Sequence, residues 1–170
     1  MKKIVIADHH PVTRKGITCM LKKDENFQIV GKANNGTELY KTLEEVEPDI
    51  LIMEIDMPQI NGINALRSIK QKFPELRVLI FSTHPEEIYA LRAIKSGAAG
   101  YVPKSASSKI LLKALDVDFD VLQESYLNDL SYWEKKKDEY QFPLSKLLFI
   151  GKESCLLFND KVKVSLAAPG

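Results

Sequence analysis

The chain has 170 residues, 45% of them hydrophobic and 28% charged, and a formal net charge of +1. That is enough apolar chain for one core of common size plus an extension, and the balanced charge excludes a global pull toward nucleic acid or an anionic membrane. Cys19 and Cys155 stand far apart and in no metal-ligand spacing, which predicts reduced thiols in a cytoplasmic protein.

Five short apolar runs, at residues 4–7, 27–30, 50–53, 78–81 and 100–102, predict strands. The first follows Met1-Lys2-Lys3 and meets Asp8 at once, so it is too short for a signal-peptide core. The third and fourth show no polar alternation, the pattern of strands covered on both faces. No apolar stretch is long enough to span a bilayer.

Helix-period segments separate the runs. Pro11 opens the first, where its missing N–H costs nothing, and Ile17, Met20 and Leu21 share a face with Cys19 close to it as a small core residue. The turn Asn34-Asn35-Gly36 precedes Leu39, Leu43 and Val46, and Pro48 stops that helix. Ile63, Leu66, Ile69 and Phe73 form the third stripe, ended by Pro74. Pro85 opens the fourth, with Ile88, Leu91 and Ile94 predicted to face inward and Gly97 as the left-handed cap. Ser107 is the predicted N-cap for a fifth helix bearing Ile110, Leu111, Ala114 and Leu115.

Strand–helix alternation repeated five times predicts an α/β fold, a doubly wound five-stranded parallel sheet of flavodoxin-like (βα)5 type with strand order 2-1-3-4-5. Pro103 suits an edge strand, where a lost donor is tolerated. Sites in such sheets lie at the carboxyl ends of the strands. The residues placed there are Asp8, His9 and His10, then Glu54 and Asp56, then Ser82 and Thr83, then Lys104.

These strand ends carry a family resemblance. Ile6-Ala7-Asp8-His9-His10-Pro11 resembles the Asp-Asp-His-Pro start of NarL/FixJ/LuxR-type response regulators. Residues 52–62, with Glu54-Ile55-Asp56-Met57-Pro58 and Gly62, resemble the phosphoacceptor segment of their receiver domain. Phe81-Ser82-Thr83-His84 resembles the fourth strand with its Ser/Thr, and Gly100-Tyr101-Val102-Pro103-Lys104 the fifth with its switch aromatic and lysine. The resemblance implies a signalling switch, not an enzyme, in which Glu54 stands at the phosphoacceptor position. It implies an acidic pocket of Asp8, His9 and Asp56, and Ser82, Tyr101 and Lys104 as the switch and phosphoryl-contact residues.

Two departures stand out. Glu54 replaces an Asp, and the extra methylene moves the carboxylate by roughly 1.5 Å, where about 1 Å can cost a positioned reaction ~100-fold. His9 replaces the second acidic residue, and imidazole is a poor magnesium ligand but a better transition-metal one. Asp8, Glu54 and Asp56 are therefore expected to form at most a weak Mg²⁺ site, Asp56 through the backbone carbonyl that the family uses. A transition-metal site on Asp8, His9, His10 and Glu54 is an open alternative. The predicted function is a pseudo-receiver that works without phosphorylation and influences transcription through a partner or its own twin. Its expected partners are a sensor histidine kinase or another signalling protein, or a second copy in a homodimer. The alternatives are a conventional phosphoaccepting, DNA-binding response regulator and a flavodoxin-like enzyme. The enzyme lacks support, since Asp8-His9-His10-Pro11 offers no Gly-rich phosphate loop.

The domain boundaries read as a receiver over 1–118, a helical linker over 119–141 and a short, incomplete effector region over 142–170. Phe119, Leu122, Tyr126, Leu130 and Trp133 repeat at helical spacing. Residues 161–164 alternate like a strand after a turn at Asn159-Asp160. No helix-turn-helix is visible, so DNA binding is not expected of the chain as it stands.

Overall fold

The computed structural model describes residues 1–116 and, beyond them, the strand residues 147–149, 154–159 and 162–167. The expected linker over 119–141 lies outside the described residues.

Strands β1 (Lys2–Ala7), β2 (Phe27–Ala33), β3 (Ile50–Met53), β6 (Arg77–Ser82) and β7 (Gly100–Pro103) form one parallel sheet in the order β2-β1-β3-β6-β7. A two-stranded hairpin, β4 (Asp56–Met57) and β5 (Ile60–Asn61), follows β3 outside this sheet. With that insertion set aside, the order is the 2-1-3-4-5 predicted from the sequence. Pro103 ends the edge strand β7, opposite Ser82.

Alternation along the strands divides the core in two. Val5, Ala7, Leu51, Met53, Val78 and Ile80 face helices α2 (Gly36–Val46), α3 (Gly62–Lys72) and α4 (Glu86–Lys95). Ile4, Ile6, Ile50, Ile52, Leu79 and Val102 face α1 (Pro11–Leu21) and α5 (Ser108–Asp116). Both faces of β1 and β3 are thus buried, as their unbroken apolar runs require. Each fully buried Leu or Ile contributes roughly 1.5–3 kcal/mol relative to exposure.

The helix boundaries follow local chemistry. Pro11 occupies the start of α1. The Asn35 side chain caps α2 by accepting from the Glu38 amide at 2.9 Å. The α2 helix ends on Glu47 in the left-handed region, at φ 43°, just before Pro48. Gly97 adopts φ 101°, and a Cβ there would also press on Lys70 Cγ at 2.9 Å.

Two expectations fail on helix phase. Ile88 does not face inward but is 57% exposed, because Ala90 and Ala93 take the buried face of α4, with Ile94 partly buried beside them. Those alanines let the helix lie close to the sheet, and Ile88 is rotated away by the ~100° per residue of an α-helix. Cys19 is exposed rather than part of the core. It lies two residues, about 200° of helical turn, from buried Ile17 and the same from Leu21.

The hairpin β4–β5 was not foreseen. Gln59 turns it with φ 68°, and the Gly36 amide donates to the Pro58 carbonyl at 3.0 Å. Gly62 follows where a Cβ would fall 2.6 Å from the Ile55 carbonyl oxygen, so the close return of the chain requires glycine.

In the C-terminal part, β8 (Leu147–Phe149), β9 (Ser154–Asn159) and β10 (Val162–Ala167) form an antiparallel sheet in the order β10-β9-β8. Val162 pairs with Asn159. Of the strand read from the alternation at 161–164, residues 162–164 fall within β10, and residue 161 lies outside the described residues.

Candidate functional site

The parallel register carries four side chains to one rim. Ala7 pairs with Met53, Met53 with Ile80, and Ser82 with Pro103. The residues at the strand ends or one step beyond are Asp8, Glu54, Ser82 and Lys104. The ladder continues through the Glu54 amide to the Ala7 carbonyl at 2.9 Å, and the Lys104 amide to the Ser82 carbonyl at 2.8 Å. The backbone thus fixes these positions before any side chain interacts.

Lys104 sits between the two carboxylates. Its Nζ lies 2.6 Å from Asp8 Oδ2 and 2.8 Å from Glu54 Oε2. Glu54 is 1% exposed, Asp8 2% and the lysine side chain 12%. The other Glu54 oxygen, Oε1, accepts from the Ser82 hydroxyl and from the Asp56 amide, the latter at 3.2 Å. Two anions and one cation are buried together, and the hydrogen bonds to Glu54 offset part of its desolvation. Glu54, not merely a strand-end carboxylate, is the hub of this pocket.

Asp8 is tied on its other side. Its Oδ1 accepts from the His10 amide at 2.8 Å and lies 3.1 Å from His10 Nδ1. Arg14 donates to the Asp8 carbonyl at 2.5 Å. Sequence reading missed Arg14. The available signal was its place on the first full turn of α1, the end that faces the rim. His9 is half-buried, and its ring centroid lies 3.7 Å from that of His10.

Tyr101 is buried on the α4 side of the sheet, and its hydroxyl donates to the His84 carbonyl at 2.9 Å. The His84 amide in turn donates to the Ser82 hydroxyl at 3.2 Å. A chain of contacts therefore runs Glu54–Ser82–His84–Tyr101. His84 joins it through backbone groups that no side-chain pattern could reveal. The structure brings together Asp8, Glu54, Ser82 and Lys104, with Tyr101 one step behind. Asp56 is exposed and reaches the pocket through its amide, while Thr83 is exposed.

Residues 4–116 match the response regulator receiver domain. The chain belongs to that family. This receiver is 34% identical to the transcriptional regulatory protein DegU of Brevibacillus brevis over 115 residues, covering 68% of this chain and 49% of that one. It is 39% identical to the oxygen regulatory protein NreC of Staphylococcus haemolyticus over 114 residues, covering 66% of this chain and 52% of that one. The chain spans about half the length of the curated relatives it matches. Among solved structures, a LuxR-family two-component response regulator from an Aurantimonas species superposes with a TM-score of 0.64 at 34% identity, over 68% of this chain and 83% of that one. RcsB of Salmonella enterica serovar Typhimurium, bound to promoter rprA with a phosphomimetic, gives 0.64 at 27% identity, over 68% of this chain and 96% of that one. Among the described residues of this receiver, no helix is long and apolar enough to cross a membrane.

The resemblance of the strand ends implied a Mg²⁺ held by Asp8, Glu54 and Asp56. Magnesium asks for hard oxygens near ~2.1 Å in octahedral order. Here the Lys104 ammonium already stands between the Asp8 and Glu54 carboxylates, where a shared cation would sit, and the second Glu54 oxygen is taken by the Ser82 hydroxyl and the Asp56 amide. Among the described residues, the three side chains that cluster with metal-ligand spacing are instead Asp8, His9 and His10. The donor set as arranged does not fit magnesium.

Proposed function

We propose that this receiver is a signalling switch biased by Glu54 rather than by phosphorylation of an aspartate. The observation that carries this reading is the contact of Glu54 with both Lys104 and Ser82 while Tyr101 is buried. A phosphoryl group on a shorter side chain would need the same two partners, the ammonium and the hydroxyl. Glu54 occupies them with a permanent carboxylate, though with less charge than a phosphate. The path through His84 gives that occupancy a route to Tyr101 and the α4 side of the domain.

In this reading residues 1–118 are the receiver, 119–141 a helical linker and 142–170 a short C-terminal segment. The domain acts through a partner signalling protein, a sensor kinase or a second copy to influence transcription. The names of the relatives support the transcriptional setting. The antiparallel strands between residues 147 and 167 support an output other than a helix-turn-helix.

The test is incubation of the full chain with acetyl phosphate and Mg²⁺, followed by intact-protein mass. No phosphoryl adduct is expected. An acid-stable, hydroxylamine-labile acyl phosphate at Glu54 would overturn the reading. The paired variant Glu54→Asp with His9→Asp is expected to regain Mg²⁺-dependent labelling.

A further inference from the structure

We propose that Asp8, His9 and His10 form a site for a divalent transition-metal ion of the Zn²⁺ class at the rim of the pocket. One ligand atom from each of the three lies within 4.8 Å of the others. Asp8 Oδ1 and His10 Nδ1 are 3.1 Å apart. Two ligands on a tetrahedral zinc with bonds near ~2.0 Å stand roughly 3.3 Å apart, so this pair is already close to bite distance.

A second observation is independent of that spacing. His9 Nδ1 is buried and has no hydrogen-bond partner. A buried imidazole nitrogen without a partner is costly unless something supplies one. A metal ion bound through that nitrogen would do so.

Charge and donor type agree. Lys104 holds Oδ2 of Asp8, whereas Oδ1 lies on the imidazole side, so the ammonium and the ion would use different oxygens. The pocket's own groups, Asp8 and Glu54 against Lys104, leave a formal excess of one negative charge. Two imidazoles and one carboxylate suit zinc, nickel or copper and not magnesium. Three protein ligands leave a coordination position for water. The replacement that spoils a magnesium site, His9 for an acid, thus creates a softer one.

The site itself stands whether or not Glu54 sets the switch. Its regulatory consequence does rest on the proposed function: an ion on Asp8 draws that carboxylate from Lys104 and alters how firmly Lys104 holds Glu54.

The experiment is calorimetric titration of the tag-free full chain, carrying Cys19→Ser and Cys155→Ser, with Zn²⁺ and separately Co²⁺. One saturable equivalent is expected, undisturbed by excess Mg²⁺, and the Co²⁺ form should show visible bands of nitrogen and oxygen ligation. His9→Gln and His10→Gln should each weaken binding at least ~10-fold. His10 is half-exposed, so its variant keeps the fold, and circular dichroism checks both. Absence of saturable binding, or unchanged affinity in the His9→Gln/His10→Gln double variant, overturns the proposal. The phosphodonor assay reads Glu54 and is blind to this outcome, so the two proposals fail separately.

Discussion

Along β1, β3 and β6 the chain is apolar on both faces, with Ile4–Ala7, Ile50–Met53 and Val78–Ile80 buried against helices above and below. Just past these runs the same strands lead into Asp8, Glu54 and Ser82, joined by Lys104 after β7. The two regions are equally buried but differ in what a substitution does. Dispersion and the hydrophobic effect are non-directional, so the strand interiors tolerate any apolar side chain of similar volume. The rim depends on direction and charge, and a single methylene or a lost ammonium changes which contacts exist. The interior specifies the fold, and in the proposed reading the rim biases the state.

Removing the cation should break the rim most severely. Lys104→Met leaves two neighbouring carboxylates buried without their counter-ion, with an expected loss of about 3–5 kcal/mol read from the urea midpoint. Unchanged stability would mean that the carboxylates are not in fact held by Lys104. In the interior, Leu51→Ala should cost roughly 2–5 kcal/mol, whereas Leu51→Ile should cost under about 1.5 kcal/mol. No such mild replacement exists for Lys104. A smaller effect tests the periphery: Asn35→Ala removes the cap on α2 and should cost about 1 kcal/mol in the same assay.

The smallest expected effect is a pH dependence at Lys70. Burial lowers its ammonium below the ordinary 10.5, with Glu75 opposing. The unfolded chain then binds the proton more tightly than the folded one, so stability rises with pH through the window between the lowered value and 10.5. Comparing urea midpoints of the wild type and Lys70→Met across that window isolates the effect, and the variant should show a shallower rise.

The fold was legible because its signals are local. Unbroken apolar runs mark doubly covered strands, Pro11, Pro48 and Pro74 mark helix ends, and Gly97 marks a left-handed cap. The strand ends were legible because parallel register brings equivalent positions to one rim. The phase of α4 was not, since Ile88 outweighs Ala90 in any hydrophobicity pattern, yet small residues decide how closely the helix packs. Arg14 and His84 were missed because they act on or through backbone atoms. The orphaned nitrogen of His9 depends on what surrounds it, which no sequence pattern carries.

A double-mutant cycle between Glu54→Gln and Lys104→Met tests most directly whether these side chains share one pocket. A direct contact predicts that the two stability changes depart from additivity, within the range of about 0.5–3 kcal/mol seen for touching residues. Changes that add to within about 0.3–0.5 kcal/mol would contradict the contact on which the proposed switch rests.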